Sequence, residues 1–488
     1  MERRHPLVYT IAAAGLIFFL WMHLGLESSP AHHTLGFVGL IAALWISEII
    51  PLGATSLLPL IYLPLAGIVT PGALAESYFN SIIFLFLGGF LLAAAMEKWN
   101  LHRRIALWIL MITGRQVVAG FMIASALLSM WISNTATAMM MLPIAAAVLS
   151  RLEGDSWNRP VYLGVAYGCS IGGIATLIGT PPNLALARIY KQSFGAESFP
   201  GFTEWMLMAF PLALILLAVV YIILHKVLYR TDSAQSLNRG QWSVQLDELG
   251  PMTAEEKSAG ILFATTALLW IFRSPIELDS FRLPGWIDAL SGFEHAKQIN
   301  DGVIALAMAT LGFLLPAPSH KGKRILEAAD LDRIPWSILL LFGAGFALAS
   351  AFESSGLSQH AGSLLQSIRP DNVFLLLLLI NFSMNMMTEF TSNTATAQII
   401  LPVIAALAKE SGLPALGLMA GVTFSVSMAF MMPVATPPNA IVFGSGKLKI
   451  ADMVKSGLIL NPITALITSA YCYWLFLERM TVAAALFS

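Results

Sequence analysis

The chain has 488 residues, of which 57% are hydrophobic and 11% charged, with a mean hydropathy of +0.75 and a formal net charge of −1. An average soluble domain carries about 25% charged residues, so this composition excludes a soluble globular protein. With no run of Lys or Arg, it also offers no basic patch for nucleic acid or an anionic lipid surface, and partners must be sought inside the membrane.

Taken in chain order, the first apolar block, 7–25, follows Arg3 and Arg4 but precedes no small-residue cleavage pattern, and so predicts a retained span. Blocks 35–50 and 82–96 follow, then an apolar run over 117–132 broken by Ser133-Asn134-Thr135 and resumed over 136–149. Each arm of that pair has about fifteen residues against the ~20 needed to cross, which predicts a re-entrant hairpin with the polar tripeptide at its tip. A long span broken at Thr180-Pro181-Pro182-Asn183 comes next, followed by the block 206–224 and two polar connections, 231–257 and 274–300. A second hairpin is predicted from 373–391 and 395–408, then a second span broken at Thr436-Pro437-Pro438-Asn439 and a final block, 458–477. The total is an all-α polytopic membrane protein of about eleven spans plus two hairpins. Cys169 and Cys472 lie in apolar segments and read as small buried hydrophobes.

Lys- and Arg-rich loops stay cytoplasmic, and those at Arg3, 98–104, 151–159, 226–230 and 321–324 fall on one side if the N-terminus is inside. The loops 27–33, 70–78 and 354–367 are poorer in positive charge and face outward; Arg188 and Lys191 are exceptions, and the count places the C-terminus outside. The chain also repeats. Ser133-Asn134-Thr135-Ala136-Thr137-Ala138 recurs at Ser392, an offset of 392 − 133 = 259, and the Thr-Pro-Pro-Asn motif and Gly89-Phe90 with Glu97 recur at an offset of 256. The orientation count makes the two units inverted, a pattern typical of secondary transporters.

Ser, Asn and Thr are good helix caps, so each tip ends one arm and starts the next. The first arm then offers free carbonyls to a sodium ion, and the second offers N–H groups and a positive dipole end to a carboxylate. Thr180 and Thr436 can cap the new half-helices, with the carbonyls of Gly179 and Ala435 open beside them. No Lys, Arg or His occurs in 116–150, 161–187, 371–408 or 411–446, which hold both repeated motifs. A dianion brought there needs bound cations to offset its charge, which favours symport over exchange. Glu48, Glu97, Glu353 and Glu389 lie in or beside apolar blocks; Glu97 and Glu353 read as interface or gate positions, while Glu389 either tunes cation affinity or bonds backbone or cavity water. Neither a hydrolase motif nor a pair of intramembrane aspartates is visible, so an enzyme is not expected, and neutral tips suit a closed site better than a channel.

At these residues, and at Trp45-Ile46-Ser47-Glu48-Ile49-Ile50-Pro51, the chain resembles the divalent anion/sodium symporter family, recognised by paired Ser-Asn-Thr hairpin tips. The resemblance implies a homodimeric elevator in the cell (inner) membrane, with scaffold parts 1–114 and 230–370 and transport parts 115–229 and 371–488. It implies one sodium at Ser129, Ser133, Asn134 and Gly179, and a second at Thr388, Thr391, Asn393 and Ala435, with Thr391 acting through its backbone carbonyl. Substrate carboxylates fall to Ser133, Asn134, Thr135, Ser392, Asn393 and Thr394, with Thr180, Pro181, Thr436 and Pro437 lining the pocket. The expected cargo is a four-carbon dicarboxylate such as succinate, fumarate or malate, moved with sodium and without an organic cofactor. The alternative is a sulfate or citrate carrier, or an exchanger, of the same fold.

Overall fold

The computed structural model describes residues 6–24, 29–114, 116–150, 156–195, 199–229, 246–278, 281–290, 292–293, 295–360 and 372–478. Six helical stretches are long and apolar enough to cross a bilayer: Pro6–Leu24, Pro30–Ser47, Pro71–Lys98, Phe202–Leu228, Trp336–Ser354 and Ile450–Leu475. Both expected hairpin arm pairs are present, Val117–Ser129 with Asn134–Leu149 and Val373–Thr388 with Asn393–Ser411; the first three of these arms are shorter apolar helices, whereas Asn393–Ser411 has 19 residues. The described residues also include a small antiparallel ribbon, Ile276–Leu278 with Phe281–Leu283, in which Ile276 pairs with Leu283. It lies in the second polar connection, outside every apolar block. Cys169 and Cys472 are buried and unpaired, as their apolar neighbours imply.

Local sequence accounts for where the helices begin. Asn80 caps the helix that restarts inside the stretch Pro71–Lys98, accepting from the Ile82 and Ile83 amides (3.0 and 3.3 Å) at the head of Ser81–Lys98. Thr253 and Glu256 form a reciprocal capping box at the head of Ala254–Ile271. Helix Leu101–Thr113 is amphipathic: Leu101, Leu107 and Leu110 are buried, and Arg104 beside them forks onto Glu256 (3.2 and 3.0 Å). No long apolar run marks this helix, which runs directly into the first hairpin.

The contacts sort the connections onto two faces. On one, Lys98 binds Asp330 (2.8 Å), Arg104 binds Glu256, Arg159 binds Asp452 (3.0 Å), and Trp157 lies beside His225. On the other, Thr203 donates to the Ile271 carbonyl (2.6 Å), Arg273 binds Asp301 (2.6 Å) and Lys409 binds Glu353 (3.1 Å). Helices Phe202–Leu228, Ala254–Ile271 and Trp336–Ser354 each have one end on each face. The first hairpin returns to the Lys98 face, at Trp157, and the second to the Glu353 face, at Lys409. The two units are therefore inverted, and they also interlock. Arm Asn134–Leu149 packs on half-helix Pro437–Gly444 of the other repeat, and arm Asn393–Ser411 on half-helix Pro181–Phe194.

Candidate functional site

Each tip is built by a hydroxyl five residues ahead of its asparagine. Ser129 Oγ lies 2.5 Å from the Asn134 side chain, and Thr388 Oγ1 lies 2.6 Å from Asn393 Oδ1. The first tip closes on the broken span of its own repeat. The terminal amide atom of Asn134 that meets Ser129 is also 3.2 Å from the Gly179 carbonyl oxygen and 3.3 Å from that of Cys169. Three oxygens around one position suit an amide nitrogen donating to them; with the amide rotated, four oxygens face inward, which is the donor set of a hard monovalent cation. The second tip follows the same plan, since Thr388 Oγ1 also faces the Val426 carbonyl (2.9 Å) and has one proton for two acceptors. The chemistry of these donors suits a small hard cation.

Backbone approach, not side chains alone, shapes the first cluster. A Cβ on Gly179 would stand 2.5 Å from the Gly173 carbonyl and 2.9 Å from that of Ser129, and one on Gly173 would stand 2.8 Å from Asn134 Oδ1. Only glycine allows this convergence. The capping expected of the tip and break residues is divided between the repeats. Ser133 accepts from the Ala136 amide (3.2 Å) and Thr436 from the Asn439 amide (3.2 Å), whereas the side chains of Ser392 and Thr180 do not cap their helices. Thr391 directs its hydroxyl to the Met387 carbonyl (2.9 Å) and to Thr396 Oγ1 (2.6 Å), away from Asn393. Ala435 ends a turn in which its amide donates to the Met432 carbonyl (3.2 Å). Ser133, Asn134, Thr135, Pro181, Ser392, Asn393 and Thr394 are half-buried, Pro437 is exposed, and Thr180 and Thr436 are buried behind them.

Two elements of the site escaped the sequence reading. The asparagines of the repeated Thr-Pro-Pro-Asn motifs are clamps: Asn183 Nδ2 donates toward the carbonyls of Gly173 (3.1 Å) and Thr176 (2.7 Å), and Asn439 Nδ2 toward those of Ala429 (3.0 Å) and Met432 (3.1 Å). At the 256 offset these are the same atoms in each repeat. Both asparagines hold carbonyls that the break in the helix frees, and their duplication was the available signal. The second element is the identity of the groups around Glu389, for which the sequence offered backbone contact only as one alternative and named no partner. The Glu389 carboxylate is fully buried and accepts from the amides of Phe430 (2.7 Å), Met431 (2.9 and 3.0 Å) and Met432 (2.9 Å), and from Asn461 Nδ2 (2.6 Å). Successive amides form an anion-binding nest, here filled from within the protein. The first repeat has Met130 at the matching position, and there the Thr176 hydroxyl reaches the Met130 carbonyl instead. The clamp joining tip to broken span is thus a carboxyl group in one repeat and a hydroxyl in the other.

Comparison with known proteins agrees with this architecture. The family model described as the sodium:sulfate symporter transmembrane region matches residues 2–480. The chain is 40% identical over 452 residues to the sodium-dependent dicarboxylate transporter SdcS of Staphylococcus aureus strain MRSA252, covering 89% of this chain and 84% of that protein. SdcS of strain USA300 is 40% identical over 451 residues, with the same coverage. Among solved structures, the Alcanivorax borkumensis YdaH transporter aligns with a TM-score of 0.55 over 94% of this chain and 98% of that one, at 13% identity, a likeness of fold alone. Inverted Ser-Asn-Thr hairpins, duplicated broken spans and a family match along nearly the whole length lead to one conclusion: the chain belongs to the divalent anion/sodium symporter family, a family of membrane transporters.

Proposed function

We propose that this protein is a sodium-coupled symporter of four-carbon dicarboxylates such as succinate, fumarate and malate. The observation that carries the reading is the pair of oxygen-rich clusters, Ser129 with Asn134 and Gly179 and Thr388 with Asn393, in segments without a Lys, Arg or His. Sodium ions at these clusters offset the charge of the dianion, whose carboxylates rest on the half-buried tips and the half-helix starts at Thr180-Pro181 and Thr436-Pro437. The name of the SdcS relatives supports both the cation and the class of anion. In this reading the protein is a homodimer in the inner membrane with its N-terminus cytoplasmic and its C-terminus outside. Residues 115–229 and 371–488 move as the transport part against a scaffold of 1–114 and 230–370, and no organic cofactor or catalytic step takes part.

The test is uptake of radiolabelled succinate into proteoliposomes. An imposed inward sodium gradient should drive accumulation, and potassium in its place should not. Uptake indifferent to sodium would overturn the coupling. Because the matching family model is described for sodium:sulfate symport, unlabelled sulfate and citrate serve as competitors. Displacement by sulfate but not by fumarate or malate would favour the alternative cargo.

A further inference from the structure

We propose that a phospholipid acyl chain occupies a groove behind the first hairpin, and that it belongs to the transporting unit as a bound ligand. The groove has a volume of about 430 Å³ and lies between the first hairpin arm, helix Asn158–Gly173 and helix Phe202–Tyr221. Its lining is apolar except at one end, where Gln116 and Tyr221 stand. That end is the one at the Lys98 face: Gln116 begins the hairpin arm, and Tyr221 stacks on His225, which in turn lies beside Trp157. The opposite end is closed by Met130 and Ala175, next to the first tip.

Four features point to a lipid tail. From Gln116 to Met130 the arm rises about 20 Å at 1.5 Å per residue, comparable with the ~15 Å of one hydrocarbon leaflet, so the groove runs from a membrane surface to the midplane. Small residues on membrane helices usually mark close packing, and Gly168 and Gly172 do bring helix Asn158–Gly173 against the arm. Ala119, Ala213 and Ala218 instead face the groove, so here their small size makes space. The polar mouth sits beside His225, whose chain neighbour Lys226 is exposed and offers opposite charge to a headgroup phosphate, and it gives the Tyr221 ring its usual interfacial position. Leu214 and Leu127, both lining residues, are exposed, so the groove opens sideways to lipid. A chain seated there supports the arm that ends in Ser129, which places it directly behind the first oxygen cluster.

Full-length protein in phosphatidylcholine vesicles that carry a phospholipid with a photoactivatable acyl chain supplies the test, and its labelling readout does not depend on transport. After illumination, peptide mapping should find Met122 or Leu217 labelled several-fold more than Ile261, an exposed residue on another helix. Ala119→Phe and Ala218→Phe, which fill the groove from opposite walls, should each reduce labelling there to the Ile261 level and leave Ile261 unchanged. Groove labelling no higher than that of Ile261, or undiminished in both variants, would overturn the proposal.

Discussion

Glu389 is the residue whose surroundings say most about how the second tip is held. Its two oxygens receive four backbone amide contacts and one from Asn461, and the residue is fully buried. Glu389→Gln turns one oxygen into a donor facing amide donors, at a cost of about 1–3 kcal/mol per unsatisfied buried group. We expect sodium-driven succinate uptake to fall at least about tenfold, the equivalent of ~1.4 kcal/mol, with a raised sodium half-saturation and a normal yield of monodisperse protein. Unaltered sodium dependence would remove Glu389 from the site's support. Asn134→Ala and Asn393→Ala each delete a side-chain oxygen from a cluster while leaving the packing of the arms intact. Both should abolish sodium-dependent uptake yet purify normally, and full transport by either would exclude that position from ion binding.

At the level of elements, the broken spans depend on backbones that come into contact. Gly172 lies so close to the hairpin arm that a Cβ there would stand 2.1 Å from the Ala126 carbonyl, whereas a Cβ on Gly89 would meet only Ile178 Cγ2, at 3.9 Å. Gly172→Ala should therefore displace the first arm and lower the thermal inactivation midpoint together with uptake. Gly89→Ala should leave both within error, even though Gly89 belongs to a repeated motif. Equal behaviour of the two variants in a thermostability assay would contradict the packing described. Asn183 and Asn439 act at the same scale. Each donates toward carbonyls that are freed where the preceding helical segment ends, ten residues back at Gly173 and at Ala429.

The whole molecule moves, in the proposed reading, by sliding the hairpin-bearing part along helix Trp336–Ser354. Glu353 meets Lys409 there, and Gln192 Nε2 donates to Ser350 Oγ across the same interface (2.9 Å). The Glu353 pair is partly exposed, so it contributes about 0–1 kcal/mol and can be broken cheaply during motion. Cysteines at Gln192 and Ser350, joined by oxidation or a short thiol crosslinker, should stop transport, and reduction should restore it. The native Cys169 and Cys472 are buried and leave the background clean. Full transport by the crosslinked protein would rule out sliding at this interface.

Much of this architecture was legible from the chain alone, for a physical reason: hydrophobic run length and exact duplication are properties along one dimension. The hairpin arms begin at Val117, Asn134, Val373 and Asn393, within two residues of the polar and apolar boundaries in the sequence. The inverted order followed from counting charges in loops. Tertiary structure alone decided that Ser133 and Thr436 cap their helices while Ser392 and Thr180 do not. It also decided that the second arm of each hairpin packs on the other repeat, and that Glu389 fills a nest 41 residues further along the chain. Those features depend on backbone N–H and C=O groups, which every residue type carries alike, so only the fold determines which of them converge.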